Sequence, residues 1–216
     1  RHAANAGFYE DLAAGQAPAA LVICCADSRA APEPIMQAAP GTLFVERSVA
    51  GLVPPPPGRV ERSWLAAYGW ATRLMGMRQL AGAWYGPWAA IEYPVVRLNV
   101  PNILVLGHSG CGGVALACRR RGSDPSLRDT DRWVDMVRPA LKAARRGDGA
   151  AVAGNRSAEE AAIRWSRSNL LRHAGIARRV ADGRTAVHAA YYDIATGRIA
   201  FFDAAKDAFV PLAAAG

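Results

Sequence analysis

No stretch of the chain approaches the about 20 consecutive apolar residues that a membrane-spanning helix needs. Residues 1–15 also lack an apolar core followed by a small-residue cleavage site. Both absences predict a soluble, cytoplasmic protein; the chain does not begin with Met, so targeting by an upstream segment stays open. Cysteine is sparse, four among 216 residues, and two of the four are the neighbours Cys24 and Cys25. A chain of this length buries a core without covalent staples, so reduced thiols are expected rather than a disulfide framework. There is no Cys-x-x-Cys, and adjacent side chains on a strand face opposite ways, which argues against a redox pair at Cys24-Cys25. Gly107-His108-Ser109-Gly110-Cys111 lacks the final glycine of a nucleophile elbow, and no Gly-Lys-Ser/Thr follows for a phosphate loop. No internal repeat is visible.

The balance that is present is apolar and basic. With 51% hydrophobic and 20% charged residues the whole chain, 1–216, reads as one domain with one core. Its net charge of +8 raises the question of nucleic acid or an acidic membrane. The positive residues fall as one run, Arg119-Arg120-Arg121, and pairs such as Arg145-Arg146 and Arg178-Arg179, with no aromatic ladder between them. Single-strand binders need such a ladder, so no nucleic-acid partner is expected, and the basic residues read as solvated helix faces and helix C-terminal charges.

Apolar runs and turn residues divide the chain into alternating strands and helices. Residues 3–14 predict a short helix, and Ala20-Leu21-Val22-Ile23-Cys24-Cys25 a strand buried on both faces. A brief helix over 32–38, a turn at Pro40-Gly41 and a strand over 42–46 follow. A helix over 89–98, kinked at Pro94, leads to a third strand over 102–106. Residues 126–146 read as helical with a break at Pro139, and 157–174 as a helix opened by the capping signal Ser157-Ala158-Glu159-Glu160. Residues 185–194 and 199–203 predict a closing hairpin. The fold class expected is α/β: a mainly parallel central sheet flanked by helices, with an N-terminal helical arm and a C-terminal hairpin extending the sheet, and chemistry at the carboxyl ends of the strands.

Two reactive clusters, Cys25 to Arg29 and His108 to Cys111, then sit just past strand ends and can converge. Zinc takes thiolate and imidazole ligands tetrahedrally, and a catalytic site keeps one position open, so three protein ligands are informative. Cys25, His108 and Cys111 supply that set, with His108 and Cys111 three apart on a Gly-rich turn. Asp27 and Arg29 share one side of an extended segment and can form a charge-assisted pair. Beside zinc, Arg29 would keep Asp27 ionised, and Asp27 would accept the hydrogen bond of a zinc-bound hydroxide and orient it as nucleophile.

Cys25-Ala26-Asp27-Ser28-Arg29, Pro40-Gly41-Thr42-Leu43-Phe44-Val45-Glu46-Arg47 and Gly107-His108-Ser109-Gly110-Cys111-Gly112-Gly113 resemble, in order and spacing, the β-class carbonic anhydrases. The likeness continues in Asn169-Leu170-Leu171 and His188-Ala189-Ala190-Tyr191-Tyr192-Asp193-Ile194-Ala195-Thr196-Gly197. It implies one Zn2+ per chain on Cys25, His108 and Cys111, and reversible hydration of carbon dioxide to bicarbonate and a proton, with Asp27 and Arg29 as the catalytic dyad. It also implies a site at the interface of a homodimer, or of a larger homo-oligomer built from dimers. Gln16 resembles a glutamine that donates a hydrogen bond to substrate, Phe44, Val49 and Tyr93 resemble the pocket wall, and the Gly112 amide resembles an anion contact. A positive field is compatible with a bicarbonate-handling enzyme.

Three departures accompany the likeness. Arg47-Ser48-Val49-Ala50-Gly51 lacks the two asparagines of the family's usual Arg-Asn-x-Ala-Asn, which puts the rigidity of that loop in question. Residues 54–88 form an insertion longer than the family's usual connection, with a helix expected around 62–80. Val22 stands where bicarbonate-inhibited members carry Trp, which with Gln16 favours an open zinc site over one closed by Asp27 with Arg29 released. Hydrolysis of carbonyl sulfide or carbon disulfide on the same scaffold, and a binding or scaffold protein with a vestigial zinc site, stay as alternatives.

Overall fold

In the computed structural model, which describes residues 6–56, 85–147 and 156–212, the organising element is strand β1, Ala20–Cys25. Its apolar run is buried on both faces because alternate side chains enter two separate clusters. Leu21 and Ile23 join Ile103, Val105, Val187 and Ala189 on one face, while Val22 and Cys24 meet Leu104, Leu106 and Ala190 on the other. Burial of each such large aliphatic side chain stabilises the fold by about 1.5–3 kcal/mol.

β1 pairs in parallel with β2 (Leu43–Ser48) on one side and with β3 (Asn102–His108) on the other. β4 (Ala186–Asp193) continues the parallel sheet, and β5 (Arg198–Asp203) and β6 (Ala208–Pro211) add to it antiparallel. The order is β2-β1-β3-β4-β5-β6. Between β1 and β3 the order of connection reverses, and in parallel sheets the crevice beyond the strand ends at such a point is where ligands bind. The α/β architecture expected from the sequence is present, including the closing hairpin; β6 was not anticipated.

The helices are α1 (Ala6–Ala14), α2 (Pro32–Ile35), α3 (Tyr85–Glu92), α4 (Gly112–Cys118), α5 (Arg128–Val134), α6 (Arg138–Gly147), α7 (Arg156–Arg172) and α8 (Ala174–Ala181). Trp88 and Ile91 of α3, Ile163 and Leu170 of α7 and Ile176 of α8 close over the first face of the sheet. None of the helices among the described residues is long and apolar enough to cross a membrane. Beyond Glu92 the chain widens into a π turn, Tyr93–Arg97, in which Leu98 N donates to Tyr93 O at 3.3 Å. Pro94, which has no N–H to give, sits at the start of that turn, as the expected kink required.

Two expectations are corrected. The helical stretch after residue 126 breaks at the 3-10 turn Asp135–Val137, while Pro139 falls in the first turn of α6, where its missing N–H costs nothing. Ser157 lies inside α7, whose first residue is Arg156, and Glu159 is buried and employed elsewhere. The helix expected around 62–80, and with it most of the long connection 54–88, falls outside the described residues.

Candidate metal centre

Cys25 is the last residue of β1 and His108 the last of β3, so both ligands belong to the strands themselves rather than to the loops just past them. Cys24 pairs with Leu106, which sets Cys25 and His108 at the same end of neighbouring strands. A turn through Ser109 and Gly110 returns the chain to Cys111, which caps the N-terminus of α4. One sulfur or nitrogen atom from each of the three residues lies within 4.8 Å of the others, and the three side chains are buried. Cys25 Sγ and Cys111 Sγ are 3.9 Å apart. A tetrahedral ion with Zn–S near 2.3 Å separates two sulfurs by roughly 3.8 Å, so the spacing fits.

His108 is oriented for ligation by its other nitrogen. Nδ1 lies 2.9 Å from Ser109 O, and a carbonyl only accepts, so Nδ1 carries the proton. Nε2 is buried without a hydrogen-bond partner, a costly state for an imidazole nitrogen unless a cation takes its lone pair. The thiols point the same way. Cys25 is held down to about 4, chiefly by its hydrogen bond with Cys111, while that shared bond and burial push Cys111 up. The pair thus shares one proton, and a soft divalent cation that displaces it would find two sulfur ligands and an imidazole nitrogen together.

Asp27 and Arg29 form the pair expected of them. Arg29 Nε donates to Asp27 Oδ1 at 2.9 Å and Nη2 to Oδ2 at 2.7 Å, with the Arg29 backbone N–H adding a third bond to Oδ1. These bonds hold the Asp27 carboxyl far below the usual carboxylate range. Arg29 Nη2 also reaches Gly110 O at 3.3 Å, tying the dyad to the turn that delivers Cys111.

The loop that lost two asparagines is nonetheless fixed. Gly51 adopts φ +58°, and a Cβ there would lie 2.8 Å from the Cys24 carbonyl carbon, so in this backbone only glycine fits. Trp133 Nε1 donates to Val49 O at 2.7 Å from α5. Arg47 donates to Cys25 O at 3.0 Å and to Asp27 O at 2.7 Å, clamping the backbone between ligand and dyad. The concern over rigidity is thereby answered by different contacts.

Of the remaining residues singled out, Phe44 and Tyr93 come together, ring centroids 6.1 Å apart, with Tyr93 50% exposed. Val49 is exposed beside Gly113, and Gly112 is the exposed first residue of α4. Gln16 is exposed between α1 and β1 and makes no hydrogen bond to the described residues. Arg47, Glu159 and Tyr191 were missed as functional residues. Glu159 Oε1 accepts from Cys111 N and Oε2 from Tyr191 OH, each at 3.0 Å, so a buried carboxylate supports the third ligand from behind. Its signal was present in the sequence: Glu159 lies between Ala158 and Ala161-Ala162 on the apolar face of α7, where an unpaired carboxylate would not be tolerated.

A family model described as Carbonic anhydrase matches residues 20–199. The chain is 33% identical to the Arabidopsis thaliana protein named Beta carbonic anhydrase 5, chloroplastic, over 86% of this chain and 54% of that protein, so it spans little more than half of this relative. It is also 33% identical to a Carbonic anhydrase of Pseudomonas aeruginosa, over 97% of this chain and 84% of the relative. The solved β-carbonic anhydrase CcaA superposes with a TM-score of 0.79 at 25% identity, covering 98% of this chain and 92% of that one. A tetrameric β-carbonic anhydrase of Sordaria macrospora does so with a TM-score of 0.70 at 26% identity, over 93% and 88%. With its three candidate ligands and its fold matching from β1 through β5, the chain belongs to the β-class carbonic anhydrase family.

Proposed function

We propose that this protein catalyses the reversible hydration of carbon dioxide to bicarbonate and a proton, with one zinc ion held by Cys25 Sγ, His108 Nε2 and Cys111 Sγ. The observation that carries the reading is the convergence of those three atoms within 4.8 Å around an unpartnered, buried Nε2. Zinc bound there would supply a Lewis acid that makes water nucleophilic near neutral pH.

The chain's own residues supply the rest. Asp27 Oδ1 already accepts two hydrogen bonds from Arg29, whereas Oδ2 accepts one and keeps a lone pair. That lone pair can receive a hydrogen bond from the attacking water, leaving the oxygen's own electron pair directed at the carbon of carbon dioxide. The new C–O bond forms as one C=O π bond gives its electrons to oxygen, and the proton passes to solvent. Arg29 keeps Asp27 ionised and aimed throughout. Phe44, Tyr93 and Val49 would line an apolar approach for a non-polar substrate, and the Gly112 N–H, at the positive end of α4, would meet developing negative charge. Gln16 would act across a homodimer interface. The exposed Phe8 and Tyr9 of α1, 40% and 38% accessible, and the tetrameric assembly in the name of the Sordaria relative support an oligomer.

Stopped-flow hydration of carbon dioxide by protein of measured zinc content, from about pH 6.5 to 9, tests the reading. Fast turnover proportional to zinc is expected. Stoichiometric zinc without hydration at any pH would overturn it, and turnover of carbonyl sulfide in its place would move the assignment to that substrate.

A further inference from the structure

The run Arg119-Arg120-Arg121, read from the sequence as solvated or helix-capping charge, is exposed as expected. It leaves the C-terminus of α4 and, with Arg138 and Lys142 of α6, lines a cleft of about 550 Å³. That volume is in the range of small-molecule sites. The helix-capping role is filled by another residue: Arg138 Nη1 donates to Ala117 O at 2.9 Å and also to Arg119 O. The arginine run is therefore not spent on the α4 carbonyls.

It is only partly neutralised. Asp131 is committed to Arg138 through Oδ1 and to Gly122 N through Oδ2, at 2.9 Å in the latter case. Asp135 lies 3.2 Å from Arg138 Nε and 3.6 Å from Arg121. Among the described residues Asp135 is the one carboxylate lining the cleft; Asp124 lies near enough to Arg119 to feel its charge, and Arg119, Arg120 and Lys142 make no ion pair. The backbone carrying the cations is held rigidly. Arg119 N donates to Leu116 O at 3.0 Å and Ser123 N to Arg120 O at 3.1 Å, and Arg138 and Asp131 anchor the two sides of the turn. Like charges carried on one turn repel one another, and a ligand bearing several negative charges relieves that repulsion.

We infer that this cleft is a binding site for a small multivalent anion of the phosphate-ester or diphosphate class, separate from the candidate metal centre. Arg119, Arg120 and Lys142 are its recognising groups and Arg138 its fixed base. Guanidinium groups match phosphate oxygens in pairs, and a half-open cleft of this volume suits a small ligand. The cleft lies at one end of α4 and Cys111 caps the other, so an occupant would sit a helix length from the metal ligands.

Calorimetric titration of the zinc-loaded full chain with inorganic pyrophosphate, at fixed ionic strength, tests the inference. Saturable binding of one pyrophosphate per chain is expected. It should weaken at least tenfold in the double variant Arg119→Ala/Arg120→Ala and also in Arg120→Glu, with zinc content unchanged as evidence that both still fold. Binding that is absent, or that is equally strong in both variants because the anion sits on the metal, would overturn it. So would tighter binding of an oligonucleotide than of pyrophosphate, since that would mark a polymer surface. Each result is independent of whether the protein hydrates carbon dioxide.

Discussion

The carboxylate of Glu159 stands 3.0 Å from the amide nitrogen of Cys111 and spends its other oxygen on the Tyr191 hydroxyl. α7 is thereby joined to the N-terminus of α4 at Cys111, the third candidate ligand. The bond does not touch the metal position; it fixes the direction of the backbone from which the thiolate projects.

Glu159→Ala would leave the Cys111 N–H and the Tyr191 hydroxyl without their buried acceptor, at a cost of about 1–3 kcal/mol for each. Its zinc affinity should fall about 10- to 100-fold, as is usual when a partner of a ligand is removed. Glu159→Gln, which can still accept from Cys111 N and donate to the Tyr191 oxygen, should recover most of both. Chelator competition and chemical unfolding read the two quantities. Unchanged zinc affinity in Glu159→Ala would reduce Glu159 to a packing role.

Gly107 precedes the ligand His108, and a Cβ there would lie 2.4 Å from Ile163 Cδ1. Gly107→Ala should destabilise the fold by about 1–3 kcal/mol through overpacking. Ile163→Ala alone should cost about 2–5 kcal/mol as a cavity. Combined, the two should cost clearly less than their sum, because each relieves the other. Strict additivity in denaturant unfolding would show that β3 shifts away from α7 instead.

The sheet and the three candidate ligands were legible in the sequence because they rest on short-range patterns. β1 is an uninterrupted apolar run bounded by turns, and Cys25, His108 and Cys111 are the residue types that a soft cation selects. Asp27 and Arg29 were legible for the same reason, being two apart on an extended segment. What escaped depends on long-range placement. Glu159 bonds a residue 48 positions away, and Ser157-Ala158-Glu159-Glu160 offered a local explanation that hid it. Gly51 looked like the loss of an amide because only the fold reveals the Cys24 backbone 2.8 Å from where a Cβ would be. The cleft beside the arginine run was not legible because nothing local shows that Arg138, and not the run, takes the capping role.

Glu46 is 9% exposed on β2 and its Oε2 has no hydrogen-bond partner, so burial pushes its carboxyl up to about 7. In the unfolded chain it titrates at about pH 4 to 5. Between these values the folded state holds more protons than the unfolded state. Stability therefore falls as pH rises through this window and levels off above about pH 7. Glu46→Gln cannot ionise and should be more stable than the parent by about 3 kcal/mol at pH 8, with little difference at pH 4. Urea unfolding at the two pH values decides it. An equal effect at both would show that Glu46 stays protonated or gains a partner on ionising.

Asp27→Asn and Arg29→Ala separate the dyad's two tasks. Asparagine keeps the shape of Asp27 but loses the charge and one acceptor, so hydration should drop about 100-fold or more with zinc content unchanged. Removing Arg29 strips Asp27 of its two side-chain bonds, at 2.9 and 2.7 Å, and lets its carboxyl rise toward the ordinary range. A carboxylate whose pKa rises stays ionised above that pKa and protonates below it. Asp27 therefore stays ionised across about pH 6.5 to 9 in Arg29→Ala, whose activity should fall by a similar factor at every pH through lost orientation; a loss that deepens at the acid end would mark a freed Asp27 competing with hydroxide for the metal. Stopped-flow profiles of both variants, normalised to bound zinc, distinguish the cases. If Arg29→Ala matched the parent at every pH, the pair would be structural, and the orientation of the attacking water would have to come from elsewhere in the site.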